Sequence, residues 1–196
     1  MPVCPFCVSG RLDPDVLEAT PDFWIVGDQY GVAYGHILII PKEHHPCFGA
    51  LPDALLPALE KLKERVGRFL ETSLSRPFYF EHGVAGQTVP HAHLHAIPGP
   101  AVILPDLTAG RQVVNVSGWE QVREFHATFG PYLYFEQEGQ AWAISGNAVP
   151  AGYVRKLAAA ALGVPERADW RGVEPLDRHS LQRLWRDYWE TTAGQP

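Results

Sequence analysis

His91-Ala92-His93-Leu94-His95-Ala96-Ile97 sets three imidazoles at every second position of the chain. On a strand, side chains alternate between faces. His91, His93 and His95 then share one face, and Ala92, Leu94 and Ala96 share the other. The small and apolar set suits packing against a helix. The histidines then line a cleft, because three adjacent imidazoles have no reason to fill a dry core. Near neutral pH an imidazole serves as nucleophile, proton donor or metal ligand. Two chemistries follow: a metal site built from His-x-His and further ligands, or attack by one imidazole while a second supplies a proton. The residues just before favour the second. Gly83-Val84-Ala85-Gly86-Gln87-Thr88 offers two glycines, a hydroxyl and free backbone amides, a turn suited to cradling an anion. An oxyanion beside a row of histidines points to phosphoryl chemistry.

Working outward, residues 23–28 (Phe23-Trp24-Ile25-Val26-Gly27-Asp28) and 35–41 (Gly35-His36-Ile37-Leu38-Ile39-Ile40-Pro41) predict two apolar strands. Pro52-Asp53 opens a helix that runs to about Ser73. Its Leu55, Leu56, Leu59, Leu62, Val66, Phe69 and Leu70 form one stripe. A third strand is expected over 77–81 and a fourth over 88–97, with Pro98-Gly99-Pro100 closing the unit. Beyond it, Tyr132–Phe135 and Trp142–Ile144 predict a hairpin, and 151–162 and 178–191 predict helices, the latter with Asp177 as N-cap. The expected organisation is one domain over residues 1–104 and an extension over 105–196 packed on it. The expected fold class is α+β, an antiparallel sheet with a long helix and a C-terminal α/β extension.

Gly86-Gln87-Thr88-Val89-Pro90-His91-Ala92-His93-Leu94-His95-Ala96-Ile97 resembles the signature of the histidine-triad (HIT) family, His-φ-His-φ-His-φ-φ with φ apolar. Gly35-His36-Ile37-Leu38-Ile39-Ile40-Pro41-Lys42-Glu43-His44 resembles the same family's upstream strand. Asp28 stands eight residues before His36, where that family carries Asp or Asn. The resemblance spans about residues 3–100. It implies a HIT-like fold and a nucleotide hydrolase or nucleotidyltransferase that acts at an α-phosphate through a covalent nucleotidyl-histidine. Dinucleoside polyphosphates and nucleoside phosphoramidates are the implied substrates. It implies that His93 is the nucleophile, and that His95 and His36 bind or protonate around the phosphates. The carbonyl of His91 would orient the nucleophile, Gly86, Gln87 and Thr88 would contact the α-phosphate, and Asp28 would accept the ribose hydroxyls. One departure stands out. Relatives often start the glycine loop with Asn or Gln, whereas Phe80, Glu81 and His82 stand here, and Glu81 beside a polyphosphate is unfavourable unless it points away or meets a metal.

Cys4-Pro5-Phe6-Cys7 is a Cys-x-x-Cys unit without the βαβ surroundings of a redox motif. Two thiolates and two histidines would make a closed tetrahedral zinc site. Resemblance to zinc-containing HIT relatives names His44 and His91 as the partners, with His45 or Cys47 as alternatives to His44. That zinc would be structural. Phe6, Val26 and Trp24 are candidates for a base cleft or ordinary core. Trp119, Trp142, Trp170, Trp185 and Trp189 are expected to pack. Arg155 and Arg171 are the extension's candidates to reach a phosphate.

Of the 196 residues, 46% are hydrophobic and 19% charged, with a formal net charge of −6. That balance describes an ordinary globular protein and argues against grasping a nucleic-acid backbone by bulk charge. No apolar run is long enough to span a membrane. Met1-Pro2-Val3-Cys4 carries neither the basic nor the apolar region of a secretory leader. Three cysteines without such a leader suggest a reducing, cytoplasmic setting. The expected partner is a small nucleotide. A homodimer fits the family pattern unless the extension covers that surface. Two other functions remain open at this point: a hydrolase that uses the histidine strand to ligate a metal, and a nucleotide-binding module without turnover.

Overall fold

The computed structural model describes residues 4–8 and 10–192. Met1 to Val3, where the resemblance and the leader reading begin, lie outside the described residues. The strands are β1 (Val16–Ala19), β2 (Phe23–Gly27), β3 (Ile37–Pro41), β4 (Pro77–Gly83), β5 (Leu94–Pro98), β6 (Val113–Val116), β7 (Tyr132–Gln137) and β8 (Gln140–Ser145). They form one eight-stranded sheet in the order β1-β2-β3-β5-β4-β7-β8-β6, with each neighbouring pair antiparallel. The helices are α1 (Leu56–Ser73), α2 (Leu104–Thr108), α3 (Trp119–Phe129), α4 (Tyr153–Ala161) and α5 (Arg178–Thr192).

The helix expected from residue 52 starts as a 3-10 turn over Asp53–Leu55 and becomes α1 at Leu56, with proline in its first turn. Its buried stripe of Leu59, Leu62, Val66 and Phe69 meets Ala92, Leu94 and Ala96 in one core cluster, the apolar face expected of the histidine segment. α3 and α5 add Trp119, Val122, Phe125, Leu181 and Trp185 to that cluster. The opposite side holds a second cluster, in which Ile103, Leu107, Val154, Ala158 and Ala159 cover Phe78, Phe80, Leu133 and Phe135. Asp177 caps α5, accepting from the His179 and Ser180 amides at 3.0 and 3.2 Å, a bond that contributes about 1 kcal/mol.

Two differences from the expected elements bear on the site. The strand expected over 88–97 begins only at Leu94, because the backbone of 91–93 is bonded elsewhere: Ala92 N–H donates to His45 O at 2.7 Å and His91 O accepts from a side chain. Beyond the expected hairpin, the extension also adds a strand, β6, and a helix, α3, that its polar pattern did not announce. Its sheet is continuous with the first, since β7 pairs with β4 over five residue pairs from Tyr79↔Glu136 to Gly83↔Tyr132.

Candidate active site

A cavity of about 540 Å³ opens where His93, His95 and Thr88 meet Val26, Leu38 and Asp28, a size suited to a small ligand. His93 and His95 are each 6% exposed, whereas His36 is fully buried. Each of the three rings has at least one nitrogen with a hydrogen-bond partner, and these partners assign the neutral tautomers. His36 Nδ1 accepts from Val32 N–H at 3.2 Å, so its proton sits on Nε2. That Nε2–H donates to His95 Nδ1 at 2.9 Å. The proton of His95 is therefore on Nε2, which has no protein partner among the described residues. His93 does the reverse: its Nδ1–H donates to His91 O at 2.6 Å, and Nε2 is left as a bare lone pair. The cavity thus receives a nucleophilic nitrogen from one imidazole and an N–H donor from its neighbour, their ring centroids 4.8 Å apart.

Burial disfavours the charged form of these rings. It lowers the basicity of His93, and neighbouring rings lower that of His95 further. In His36 burial acts first and the charge of Arg155 second. Gly31 permits this packing, since a Cβ there would lie 2.6 Å from His36 Cβ. His36 supports His95 from behind and is not among the residues that line the cavity. His82 does line it. Its Nε2 accepts from Val154 N–H in the first turn of α4 at 3.1 Å, and burial pulls its pKa down to about 3.

His91 does not share the cavity face with the other two. Its Nε2–H donates to Pro41 O at 2.8 Å, so its Nδ1 lone pair faces Cys4 Sγ at 3.4 Å and Cys7 Sγ at 3.5 Å. His44 Nδ1 lies 3.4 Å from Cys7 Sγ, and the four ligand atoms all lie within 4.8 Å of one another. Zinc–sulfur and zinc–nitrogen bonds at a tetrahedral angle separate S and N by about 3.5 Å, so the four residues fit a zinc ion by distance, and His91 also by tautomer. The alternatives to His44 are elsewhere. Cys47 is fully buried, its thiol pushed up to about 12 by burial and the adjacent Glu81, and His45 Nε2 lies 3.8 Å from the Glu43 carboxylate. The hook that carries the cysteines also sets Phe6 edge-on to His91 and His93, with centroids 5.6 and 5.4 Å away.

A family model described as HIT domain matches residues 10–102. An uncharacterized 16.1 kDa HIT-like protein of Mycoplasma pneumoniae is 30% identical over 101 residues, 48% of this chain and 70% of that protein. The chain belongs to the HIT family. Zinc finger CCCH domain-containing protein 64 of Arabidopsis thaliana is 24% identical over 213 residues. That alignment takes in 94% of this chain, extension included, but the chain spans only about a third (34%) of the Arabidopsis protein. Among solved structures, a HIT family hydrolase from Clostridium thermocellum is 23% identical, with a TM-score of 0.42 over 52% of this chain and 95% of its own.

Within this HIT chain the remaining expected residues divide. Asp28, Thr88, Val26 and Phe6 line the cavity together with His93 and His95. Gly86, Gln87 and Trp24 do not. Gly86 is closed over by the extension, a Cβ there falling 2.4 Å from Pro150 O at φ +67°. Gln87 Nε2–H donates to Pro46 O at 2.8 Å, and Trp24 lies under Lys42 Nζ, 4.3 Å from its ring. Glu81 points away from the cavity. It is fully buried on the other face of β4, accepting from Phe48 N–H at 2.7 Å and from Tyr132 O–H at 2.5 Å. The concern about a carboxylate beside phosphate is thereby removed.

Burial pushes the Glu81 carboxyl up to about 8, against the two donors that favour its charged form. The unfolded chain loses that proton near 4.5, so between about 4.5 and 8 the folded state binds more protons. Stability contributed by this group therefore falls as pH rises through that window. Glu81→Gln is neutral throughout. Its melting temperature is expected to rise relative to wild type as pH goes from 5 to 8, with the difference level above that. A difference independent of pH would mean that Glu81 is ionised in the folded chain.

The extension also contributes to the cavity. Gly152, Arg155 and Trp170 all line the cavity, and Arg155 Nη1 lies 3.4 Å from Asp28 Oδ2. Trp170, expected to pack, stands 6.2 Å from the Tyr30 ring. Trp119 and Trp185 do pack, against Phe48 and Phe69. Arg171 is exposed and paired with Asp169 at 2.9 Å, outside the lining. No local pattern marks Arg155, and only the tertiary fold brings it to Asp28. Among the described residues no helix is long and apolar enough to cross a membrane.

Proposed function

We propose that this chain is a nucleotide hydrolase or nucleotidyltransferase whose nucleophile is Nε2 of His93. Membership of the HIT family supports the broader class of nucleotide-binding hydrolases and transferases. The observation that carries the finer reading is the 2.6 Å bond from His93 Nδ1–H to His91 O. It commits the opposite nitrogen to a lone pair in the cavity. In the first step Nε2 attacks the α-phosphorus, a P–N bond forms, and the bond to the leaving group breaks. His95 Nε2–H donates to an oxygen on which negative charge grows, stabilising it where water is scarce. In the second step water or another acceptor attacks the same phosphorus, the P–N bond breaks and His93 is restored. Thr88 binds the α-phosphate, and Asp28 accepts from the ribose. Val26, Leu38 and Phe6 offer the apolar walls against which a base packs.

Cys4, Cys7, His44 and His91 would hold a structural zinc in this reading. When bound, it supplies a tetrahedral node that ties the N-terminal hook to the approach of β5. The alternative in which these histidines ligate a catalytic metal would draw on Asp28, His36 and His95, whose ligand atoms also lie within 4.8 Å of one another, and it would have to break the 2.9 Å bond between His36 Nε2 and His95 Nδ1.

A single nucleotide unit with a variable leaving group suits a cavity of about 540 Å³. The test is a panel of adenosine phosphoramidates, short dinucleoside polyphosphates and adenylated DNA, with products separated by chromatography. Release of a nucleoside monophosphate from the small compounds is expected. Turnover confined to adenylated DNA would replace this substrate class with a DNA-repair role. Binding of AMP without turnover of any compound would leave a binding module.

A further inference from the structure

Arg155 is 6% exposed and reaches the cavity from α4, outside every segment that resembles the HIT signature. Burying a guanidinium is costly unless its donors are met, and here most are. Nε–H donates to Ala168 O at 3.2 Å. Nη2 donates to Arg167 O at 3.1 Å and to Tyr30 O. Nη1 donates to Asp28 Oδ2 at 3.4 Å. A guanidinium has five N–H groups, so one, on Nη1, is without a protein partner among the described residues. It belongs to the nitrogen that faces Asp28, and both side chains line the cavity.

Asp28 is similarly part-used. Oδ1 accepts from Tyr30 N–H at 2.9 Å and Oδ2 from Arg155, which leaves acceptor positions open on a carboxylate that has about four. Burial raises the Asp28 carboxyl while Arg155 works to keep it charged. The pair therefore sets an unused acceptor beside an unused donor at one point of the cavity wall. A hydroxyl is the group that satisfies both, because it donates and accepts at once. Two neighbouring hydroxyls do so without strain, one donating to the carboxylate and the other accepting from the guanidinium.

We propose that Arg155, supplied by the extension, is a substrate-binding residue that, paired with Asp28, selects the vicinal diol of a ribonucleotide. The inference rests on the nucleotide reading above and adds to it a residue and a selectivity. The extension is then part of the site, since removing it would leave the diol with one partner.

The experiment is isothermal titration of AMP and of 2′,3′-dideoxy-AMP into the wild type, Arg155→Met and Arg155→Lys, with melting temperatures recorded for each. The two ligands share base and phosphate and differ in the diol. Wild type is expected to prefer AMP by about ten- to a hundredfold, the range of a charged hydrogen bond. Arg155→Met is expected to lose most of that preference through weaker AMP binding, with dideoxy-AMP held within about threefold. Arg155→Lys keeps the charge without the planar fork and is expected to fall between. Should Arg155→Met melt below the assay temperature, Arg155→Lys carries the comparison by the same criterion. Equal loss on both ligands, or an unchanged preference, would overturn the proposal. If wild type binds neither ligand, the nucleotide reading itself fails; if it binds AMP and the variants discriminate as it does, only the role of Arg155 fails.

Discussion

His93→Ala is expected to lose about four to six orders of magnitude in turnover, the scale seen when a catalytic nucleophile is removed, while still binding AMP. No neighbour can stand in. His95 turns an N–H, not a lone pair, to the cavity, because its Nδ1 accepts from His36 at 2.9 Å. His82 has spent Nε2 on Val154 N–H at 3.1 Å. Single-turnover kinetics on a compound with a good leaving group measure the loss. Rapid acid-free quenching and mass spectrometry of the wild type should find the nucleotide on the peptide that contains His93. A variant that turns over near the wild-type rate would remove the mechanism. A folded variant that binds AMP and never labels would support it.

Chain purified without added zinc or chelator is expected to carry about one equivalent of zinc, and Cys4→Ser to lose it. Structural zinc contributes on the order of 10 kcal/mol in small peptides, which rivals the whole stability of a domain. Even a third of that lowers melting by on the order of 10 °C in a chain of this length. The site is not insulated from the chemistry. Nδ1 of His91 faces the thiolates, while its carbonyl holds His93 at 2.6 Å. Loss of the metal is therefore expected to slow turnover as well, though far less than His93→Ala. Metal analysis and melting curves of both proteins decide it. Absence of stoichiometric metal in the wild type would reject the site.

Much of the first hundred residues was legible without coordinates because the signals there are local. A strand shows as a β-branched run, as in 37–41, and α1 shows as a stripe at 3.6-residue spacing. The histidines show as a period of two. The Cys-x-x-Cys unit needs only its two residues to announce a ligand pair. Family resemblance then attached roles to His93, Asp28 and Thr88, and these do line one cavity with His95.

Other features depend on partners far away in the chain, where periodicity carries no information. The alternation that puts three histidines on one strand face fails at His91, because a strand begins only where the ladder can form, and Ala92 is bonded to His45 O instead. The choice among His44, His45 and Cys47 turned on where one loop places each side chain. Glu81 and His82 are adjacent in sequence, yet one faces Tyr132 and the other the cavity, because successive residues of a strand point to opposite faces.

The residues by themselves determined the chemistry on offer: imidazoles in a row, a cysteine pair, a glycine-bearing turn and one long amphipathic helix. Tertiary structure decided how that chemistry is wired. Tautomers are set by hydrogen-bond partners, so which ring nitrogen keeps a lone pair and which carries a proton follows from His91 O, Val32 N–H and the His36–His95 bond. Arg155 and Asp28 stand 127 positions apart. Only the pairing of β7 with β4 carries the extension back over the cavity to bring a buried cation against that carboxylate.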